Sequence, residues 1–352
     1  MPLAVIANRK DLLGARMRNW LSAWRFARQI GVPTIIVWRN WDEREIPPYD
    51  VYTLFDRHRL ERIESLRVEQ IDPPTTSQWE IPAEWSKAQL LDVVEIPPDH
   101  YRHLRKDVLI DYAITGPRYF PGDTADAEAA EISTLFKSLP LQAAVDAAVR
   151  DFTAAVAAPF VAIHLRRGNL VEYLFERREC PTGNELGSDV KNFVSRYAHV
   201  NAYLRALQAH SPICARIAVF SDDAALRAKV SELLDGRIID VHRILDRHHL
   251  TELQRAFAEF IVISRAHTVI SSNSQFSILP AQIGQARRID ARRYAEVEEI
   301  KDDLAPLVAH ARRADADAAQ LARSIHSEFM ELYLNLRSPE LSAQFQRLAA
   351  CR

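Results

Sequence analysis

Short unbroken apolar runs alternate along this chain with longer stretches in which apolar residues recur every three or four positions. Leu3 to Ala7 is the first such run and predicts a buried strand. A loop over Asn8 to Gly14 leads into a helix expected over Met17 to Ile30, which Gly31 would stop. Thr34 to Trp38 then reads as a second strand. Strand, helix and strand in this order predict a βαβ opening and a parallel sheet.

Residues 41 to 100 are punctuated by Pro47-Pro48, Pro73-Pro74 and Pro97-Pro98 and read as loops with short elements. Residues 127 to 157 are alanine-rich and helical in pattern. Beyond them the alternation is cleaner. Strands are expected at Phe160 to His164, Ala215 to Phe220, Arg237 to Val241 and Thr268 to Ser271. Helices are expected over 190 to 209, Ala224 to Leu234 and Thr251 to Ser264. Residues 300 to 352 look helical, and their stripe of Leu321, Ile325, Phe329, Leu332 and Leu336 reads as core packing. A chain of 352 residues exceeds what one core usually serves, so two α/β domains are expected, 1–155 and 156–352.

Composition narrows the function. Lys+Arg 45 against Asp+Glu 47 leaves a formal net charge of -2, which excludes a global electrostatic footprint for nucleic acid. Cys180, Cys214 and Cys351 form no C-x-x-C, so neither a disulfide framework nor a zinc site is expected, and a reducing compartment is. The apolar run Phe257 to Ile263 is broken by Glu259 and falls far short of the roughly 20 residues of a membrane span. The first residues reach Arg9 too early for a signal peptide, so a soluble, cytoplasmic protein is expected. Nine glycines, none two positions from another, exclude both G-x-G-x-x-G and the Walker-type phosphate loop. Any phosphate must be held in another way.

In open α/β sheets ligands bind beyond the carboxyl ends of the strands. Three of those ends carry chemistry: His164-Leu165-Arg166-Arg167-Gly168-Asn169, Ser221-Asp222-Asp223, and Ser272-Asn273-Ser274-Gln275-Phe276-Ser277 opening a helix. Together they suit a nucleoside diphosphate. Arg166 or Arg167 offers a bidentate fork to the diphosphate. Ser272, Ser274 and the amides of the following helix form an anion site without glycine. Asp222 or Asp223 can accept hydrogen bonds from a ribose hydroxyl or the donor edge of guanine. Each motif alone has a plainer reading: a satisfied structural histidine, a solvated arginine pair, and a helix cap with Asp222 capping and Asp223 favouring the dipole. Their coincidence at successive strand ends favours one shared site.

On these residues the chain resembles the fucosyltransferase superfamily built around an H-x-R-x-G motif, which includes bacterial α1,2- and α1,6-fucosyltransferases and protein O-fucosyltransferases. Leu13-Gly14-Ala15-Arg16-Met17 is similar to the family's N-terminal G-N-R block. His164 to Gly168 is similar to H-x-R-R-G, Phe220 to Asp223 to F-S-D-D, and Ser271 to Ser277 to S-N-S-x-F-S. The resemblance implies a GT-B-like α/β fold, two Rossmann-like domains facing a cleft, with C-terminal helices. It also implies inverting, metal-independent transfer with no cofactor, the donor being held mainly by the C-terminal domain and the acceptor by the N-terminal one.

By position, Arg166 would contact the β-phosphate and stabilise the departing diphosphate, and His164 would shape the nucleotide pocket. Asp222 or Asp223 would meet the guanosine, and Ser274 with Gln275 the phosphates; Arg167, Ser272 and Asn273 complete the donor set. Gly14 and Arg16 would lie on a loop facing the donor across the cleft. Asp315-Ala-Asp317 has metal-motif spacing but reads as a solvated helical face. The chain departs from the family at Ala15, where asparagine is usual, and at Asn169, where aspartate is. Glu172 is then the candidate general base, with Glu176 the other near carboxylate.

The expected function is transfer of fucose from GDP-fucose to a hydroxyl of a glycan or glycolipid-linked acceptor. No nucleic-acid partner or transmembrane segment is expected, and peripheral membrane contact stays open. The rivals are the same scaffold with another nucleotide sugar, and a non-catalytic nucleotide- or glycan-binding relative, which Ala15 and Asn169 keep in play. A histidine phosphatase fails because His164 precedes both arginines. Acceptor specificity is expected from residues 40 to 150, with Trp38, Trp41, Trp79 and Trp85 as candidates for stacking on sugars, more of them core than platform.

Overall fold

The computed structural model describes residues 4–9, 11–41, 48–72, 89–90, 107–110, 124–156, 159–166, 196–211, 215–221, 223–234, 236–296 and 299. It is a mixed α/β protein, and among the described residues there are two five-stranded sheets in which every paired strand runs parallel. The chain divides into two units interleaved in sequence. Unit 1 is Met1–Ala157, Val241–Arg265 and Gln275–Ala286; unit 2 is Ala158–Asp240, Ala266–Ser274 and Arg287–Arg352.

In unit 1 the strands are β1 (Val5–Ala7), β2 (Thr34–Arg39), β3 (Leu66–Ile71), β4 (Gln89–Leu90) and β5 (Val108–Ile110), in the order β3-β2-β1-β5-β4. Helix α1 (Leu13–Ile30) ends as expected at Gly31, whose φ of 75° is the left-handed conformation glycine adopts at little cost. It starts four residues before the expected Met17, so the Gly14–Arg16 block is its first turn and not a loop. The short elements expected in the proline-punctuated stretch are α2 (Arg57–Leu60) and β3. The alanine-rich stretch is two helices, α3 (Ala125–Ser138) and α4 (Ala143–Ala155), separated at Pro140, which cannot continue a helix.

Three later helices belong to the same unit: α7 (Val241–Leu245), α8 (Glu252–Ile263) and α9 (Gln275–Ile283). Thr251 and Gln254 close a capping box at the start of α8. Helix α8 packs on α4, and α9 packs on α1 and α3. Aromatic rings join these parts edge to face: Trp20 meets Phe55 at 5.3 Å, Phe55 meets Phe257 at 5.1 Å, and Phe260 meets Phe276 at 5.7 Å.

Unit 2 holds β6 (Phe160–Leu165), α5 (Val200–His210), β7 (Arg216–Ser221), α6 (Ala224–Leu233), β8 (Ile238–Ile239), β9 (Thr268–Ser271) and β10 (Arg287–Asp290). Of the helix expected over 190 to 209, residues 190–195 lie outside the described residues, 197–199 are not helical, and α5 starts at Val200, capped by His199, which accepts from the Asn201 amide at 3.1 Å. The strand expected over Arg237 to Val241 shrinks to Ile238–Ile239, because Val241 already starts α7. The order β10-β9-β6-β7-β8 is that of the first five strands of a dinucleotide-binding sheet. All six residues of β6 are buried, as a central parallel strand requires. Val161, Ile163 and Leu165 enter one core with Tyr203, Ile217, Ile270 and Ile289. The stripe expected between Leu321 and Leu336 and the three cysteines lie outside the described residues. Among the described residues no helix is long and apolar enough to cross a membrane.

Candidate functional site

The strand order of unit 2 reverses between β6 and β9: from β6 the chain moves outward through β7 and β8, then crosses back to β9 and β10. At such a reversal the connections leave in opposite directions, and a crevice opens beyond the carboxyl ends. Here those ends are Arg166, directly after β6, and the turn Ser272-Asn273-Ser274 after β9.

The two sides meet. The Arg166 Nη1 donates to the Ser274 Oγ at 3.1 Å across the reversal. Ser274 is 1% exposed and Ser272 fully buried, while Arg166 is half-buried. The turn is closed by the Ser274 amide, which donates to the Ser272 carbonyl at 3.1 Å. A serine hydroxyl that accepts from an arginine still carries its own proton. The Ser274 hydroxyl and the Arg166 guanidinium thus stand side by side at the crevice. The amides at the start of α9 follow directly, and Gln275 there is exposed.

Tyr203 on α5 supports this junction from the core side. Burial pushes its phenol up to about 12, with the Ser272 hydroxyl and the Arg166 backbone pulling the other way. The phenol thus stays protonated beside them. Arg166, Tyr197, Tyr203 and Leu226 border a cavity of about 10 Å³, room for a single water and no more. His164 lies one position before the end of β6, opposite Phe220 and Ser271, and is buried. By strand alternation it faces away from the core that takes Ile163 and Leu165.

Asp223 is the N-cap of α6, its Oδ1 accepting from the Leu226 amide at 2.9 Å. The expectation of Asp222 as cap and Asp223 as its neighbour is corrected in this respect. Asn273 is half-buried within the turn. Arg167, Gly168, Asn169, Glu172, Glu176 and Asp222 lie outside the described residues.

Gly14 and Arg16 belong to unit 1. A Cβ at Gly14 would fall 2.6 Å from the Phe276 nitrogen, so glycine there permits close packing of α1 on α9. Arg16 is 3% exposed; its Nε donates to the Asp11 carbonyl and its Nη1 to the Arg39 carbonyl, each at 2.6 Å, and its Nη2 to the Trp41 carbonyl. Its guanidinium also lies 4.4 Å from the Tyr49 ring centre. Its fork holds the start of α1 to the loop after β2. Trp38 and Trp41 are buried in this core, and Trp79 and Trp85 lie outside the described residues.

Tyr203 and Arg288 escaped the sequence reading. The Arg288 Nη2 donates to the Ser272 carbonyl at 3.4 Å. Its strand, β10, is a short polar edge whose composition gives little strand signal; the signal available was its position after the S-N-S helix. Among the described residues no three His, Cys, Asp or Glu side chains gather as metal ligands do.

No protein-family description and no curated protein matches the chain. Solved structures do. The chain is similar to the NodZ alpha-1,6-fucosyltransferase soaked with GDP-fucose, at 15% identity and a TM-score of 0.47, over 80% of this chain and 93% of that one. It is similar to the fucosyltransferase NodZ from Bradyrhizobium at 16% identity and a TM-score of 0.45, over 80% and 93%. For POFUT1 in complex with GDP the values are 14% and 0.40, over 82% and 97%. At such identities and TM-scores a likeness says nothing of activity. What bears on function is the geometry of the site together with the motifs that form it.

Proposed function

We propose that the protein is a glycosyltransferase of GT-B-like build that transfers fucose from GDP-fucose to a hydroxyl of a glycan acceptor. The observation that carries the reading is the Arg166–Ser274 contact across the strand reversal of unit 2. It sets a guanidinium fork and a serine hydroxyl where open α/β sheets bind nucleotides. The choice of guanine and fucose comes from the motif resemblance of His164 to Gly168, Phe220 to Asp223 and Ser271 to Ser277.

In this reaction an acceptor oxygen attacks C1 of the sugar from the face opposite the diphosphate. The C1–O bond to the β-phosphate breaks and its electron pair leaves with GDP. Negative charge grows on the diphosphate as that bond lengthens, and Arg166 with Ser274 is set to meet it without reorganisation. In this proposal no metal ion takes part, and the acceptor proton passes to a carboxylate such as Glu172.

The test is Arg166→Ala, assayed for transfer and for slow hydrolysis of GDP-fucose. Loss of one such donor costs about 3 kcal/mol of transition-state stabilisation, so both rates should fall about 100-fold or more. Unchanged rates would sink the mechanism. A thermal-shift panel of GDP, UDP and CMP checks the donor: stabilisation by UDP or CMP but not GDP would replace it. A wild-type protein that binds GDP yet neither transfers nor hydrolyses the sugar would be a non-catalytic binder.

A further inference from the structure

Four arginines fall within seven residues at the end of unit 2's sheet: Arg287, Arg288, Arg292 and Arg293. Three are engaged in ways that differ from the second's. Arg292 grips both oxygens of Asp290, with Nη2 at 2.6 Å from Oδ2 and Nε at 3.0 Å from Oδ1. Arg287 donates to the His210 ring at 3.1 Å, and Arg293 has interactions of its own. The Arg288 side chain makes one hydrogen bond among the described residues, the long one to the Ser272 carbonyl, and no ion pair there. A guanidinium has five N–H donors, so most of this fork is uncommitted.

The register fixes where that fork lies. Arg288 sits opposite Val269, two positions short of the end of β10, and its Nη2 reaches past the end of β9. Its side chain therefore leans toward the carboxyl edge. The Ser272 carbonyl that receives it also receives the Ser274 amide, and Ser274 in turn receives Arg166. Two guanidiniums thus approach one three-residue turn, from the β6 side and from the β10 side. Desolvation lowers the Arg288 pKa from the usual arginine value, Asp290 opposes this, and the charges of Arg292 and Arg293 add to it. An anion placed beside Arg288 would relieve that repulsion.

We propose that Arg288 is a second phosphate-binding residue of the site, and that its pairing with Arg166 across the Ser272–Ser274 turn makes the site prefer diphosphates to monophosphates. The proposal rests on the nucleotide reading above but names a residue that none of the motifs contains. One phosphate can satisfy Arg166 and Ser274. A second phosphate is what a second fork on the far side of the turn would hold. Because the residue is exposed overall and its partly desolvated guanidinium is held by one long bond, it can turn onto a ligand at small cost in hydrogen bonding.

The test is calorimetric titration of the full chain with GDP, GMP and inorganic pyrophosphate, in the wild type, Arg288→Ala and Arg288→Lys. In Arg288→Ala, affinity for GDP and for pyrophosphate should fall about tenfold or more, the loss of one charge-assisted bond, while GMP affinity changes less than about twofold. Arg288→Lys should fall between, since it keeps the charge and loses the fork. Melting temperatures of all three proteins should agree. Equal losses for GDP and GMP, or no loss, would overturn the assignment. If the wild type bound pyrophosphate through Arg288 but not GDP, the phosphate site would stand and the GDP reading would fall. If it bound neither, both would fall.

Discussion

Gly14→Ala sets two physical effects against each other within one methyl group. Gly14 lies in the first turn of α1, and by helix propensity alone alanine should stabilise that helix by up to about 1 kcal/mol. Packing argues the opposite. The new Cβ would fall 2.6 Å from the Phe276 nitrogen, 2.8 Å from its Cα and 2.9 Å from the Gln275 carbonyl carbon. All three are backbone atoms of the first turn of α9, which cannot rotate aside as a side-chain tip would. Overpacking of this kind costs about 1–3 kcal/mol. Setting the propensity gain against it leaves a net loss of up to about 2 kcal/mol. That corresponds to a fall in melting temperature of several degrees, at about 2–4 °C per kcal/mol.

The displacement also has a direction. Helix α9 begins directly after Ser274, so pushing its first turn shifts the residue that holds Arg166. Scanning fluorimetry of wild type and variant, with and without GDP, reads both effects. The expected outcome is a lower melting temperature and a smaller rise on adding GDP. A higher melting temperature with a full GDP response would mean that propensity prevails and that the close approach is not a constraint.

Two further substitutions probe separate contacts. Ser274→Ala removes the buried acceptor of the Arg166 guanidinium, a bond to a charged group worth about 1.5–3 kcal/mol. GDP affinity measured by calorimetry should fall at least tenfold, and an unchanged dissociation constant would show the contact to be incidental. Glu299 is raised by desolvation, but hydrogen bonds from Arg205 and Asn201 and the charges of Arg205 and His199 outweigh this and hold it at about 2. Its folded-state pKa is thus below the ordinary 4.5, so its stabilising contribution is present above that value and lost as pH falls from 4.5 toward 2. Melting temperatures of wild type and Glu299→Gln should differ at pH 7 and converge near pH 2; a gap that persisted at low pH would refute the ion-pair origin.

Much of unit 2 was legible from local pattern. The runs at Phe160 and Thr268 predict β6 and β9 because a central parallel strand must be apolar on both faces, which leaves an unbroken apolar run. The polar residues that follow those runs were singled out for the same local reason: they stand where strands end. Boundaries that depend on a cap or a turn shifted, at α1, α5 and β8. The capping role of Asp223 was a choice between neighbours that composition alone does not make. The edge strand β10 was missed because four residues with two arginines and an aspartate do not look apolar.

What the sequence by itself determined was the kind of element at each stretch, the alternation that makes parallel sheets, and which residue types stand at the strand ends. Only the tertiary structure decided which of those ends meet. Arg166 and Ser274 are 108 positions apart, and nothing between them specifies a 3.1 Å contact. The assignment of 241–265 and 275–286 to the first unit depends in the same way on which faces of α8 and α9 are buried, and against what. Periodicity shows that a helix has an apolar face, but a face carries no address. The address comes from shape, from rings that pack edge to face and from a glycine that lets two backbones touch, and these exist only once the chain has closed on itself.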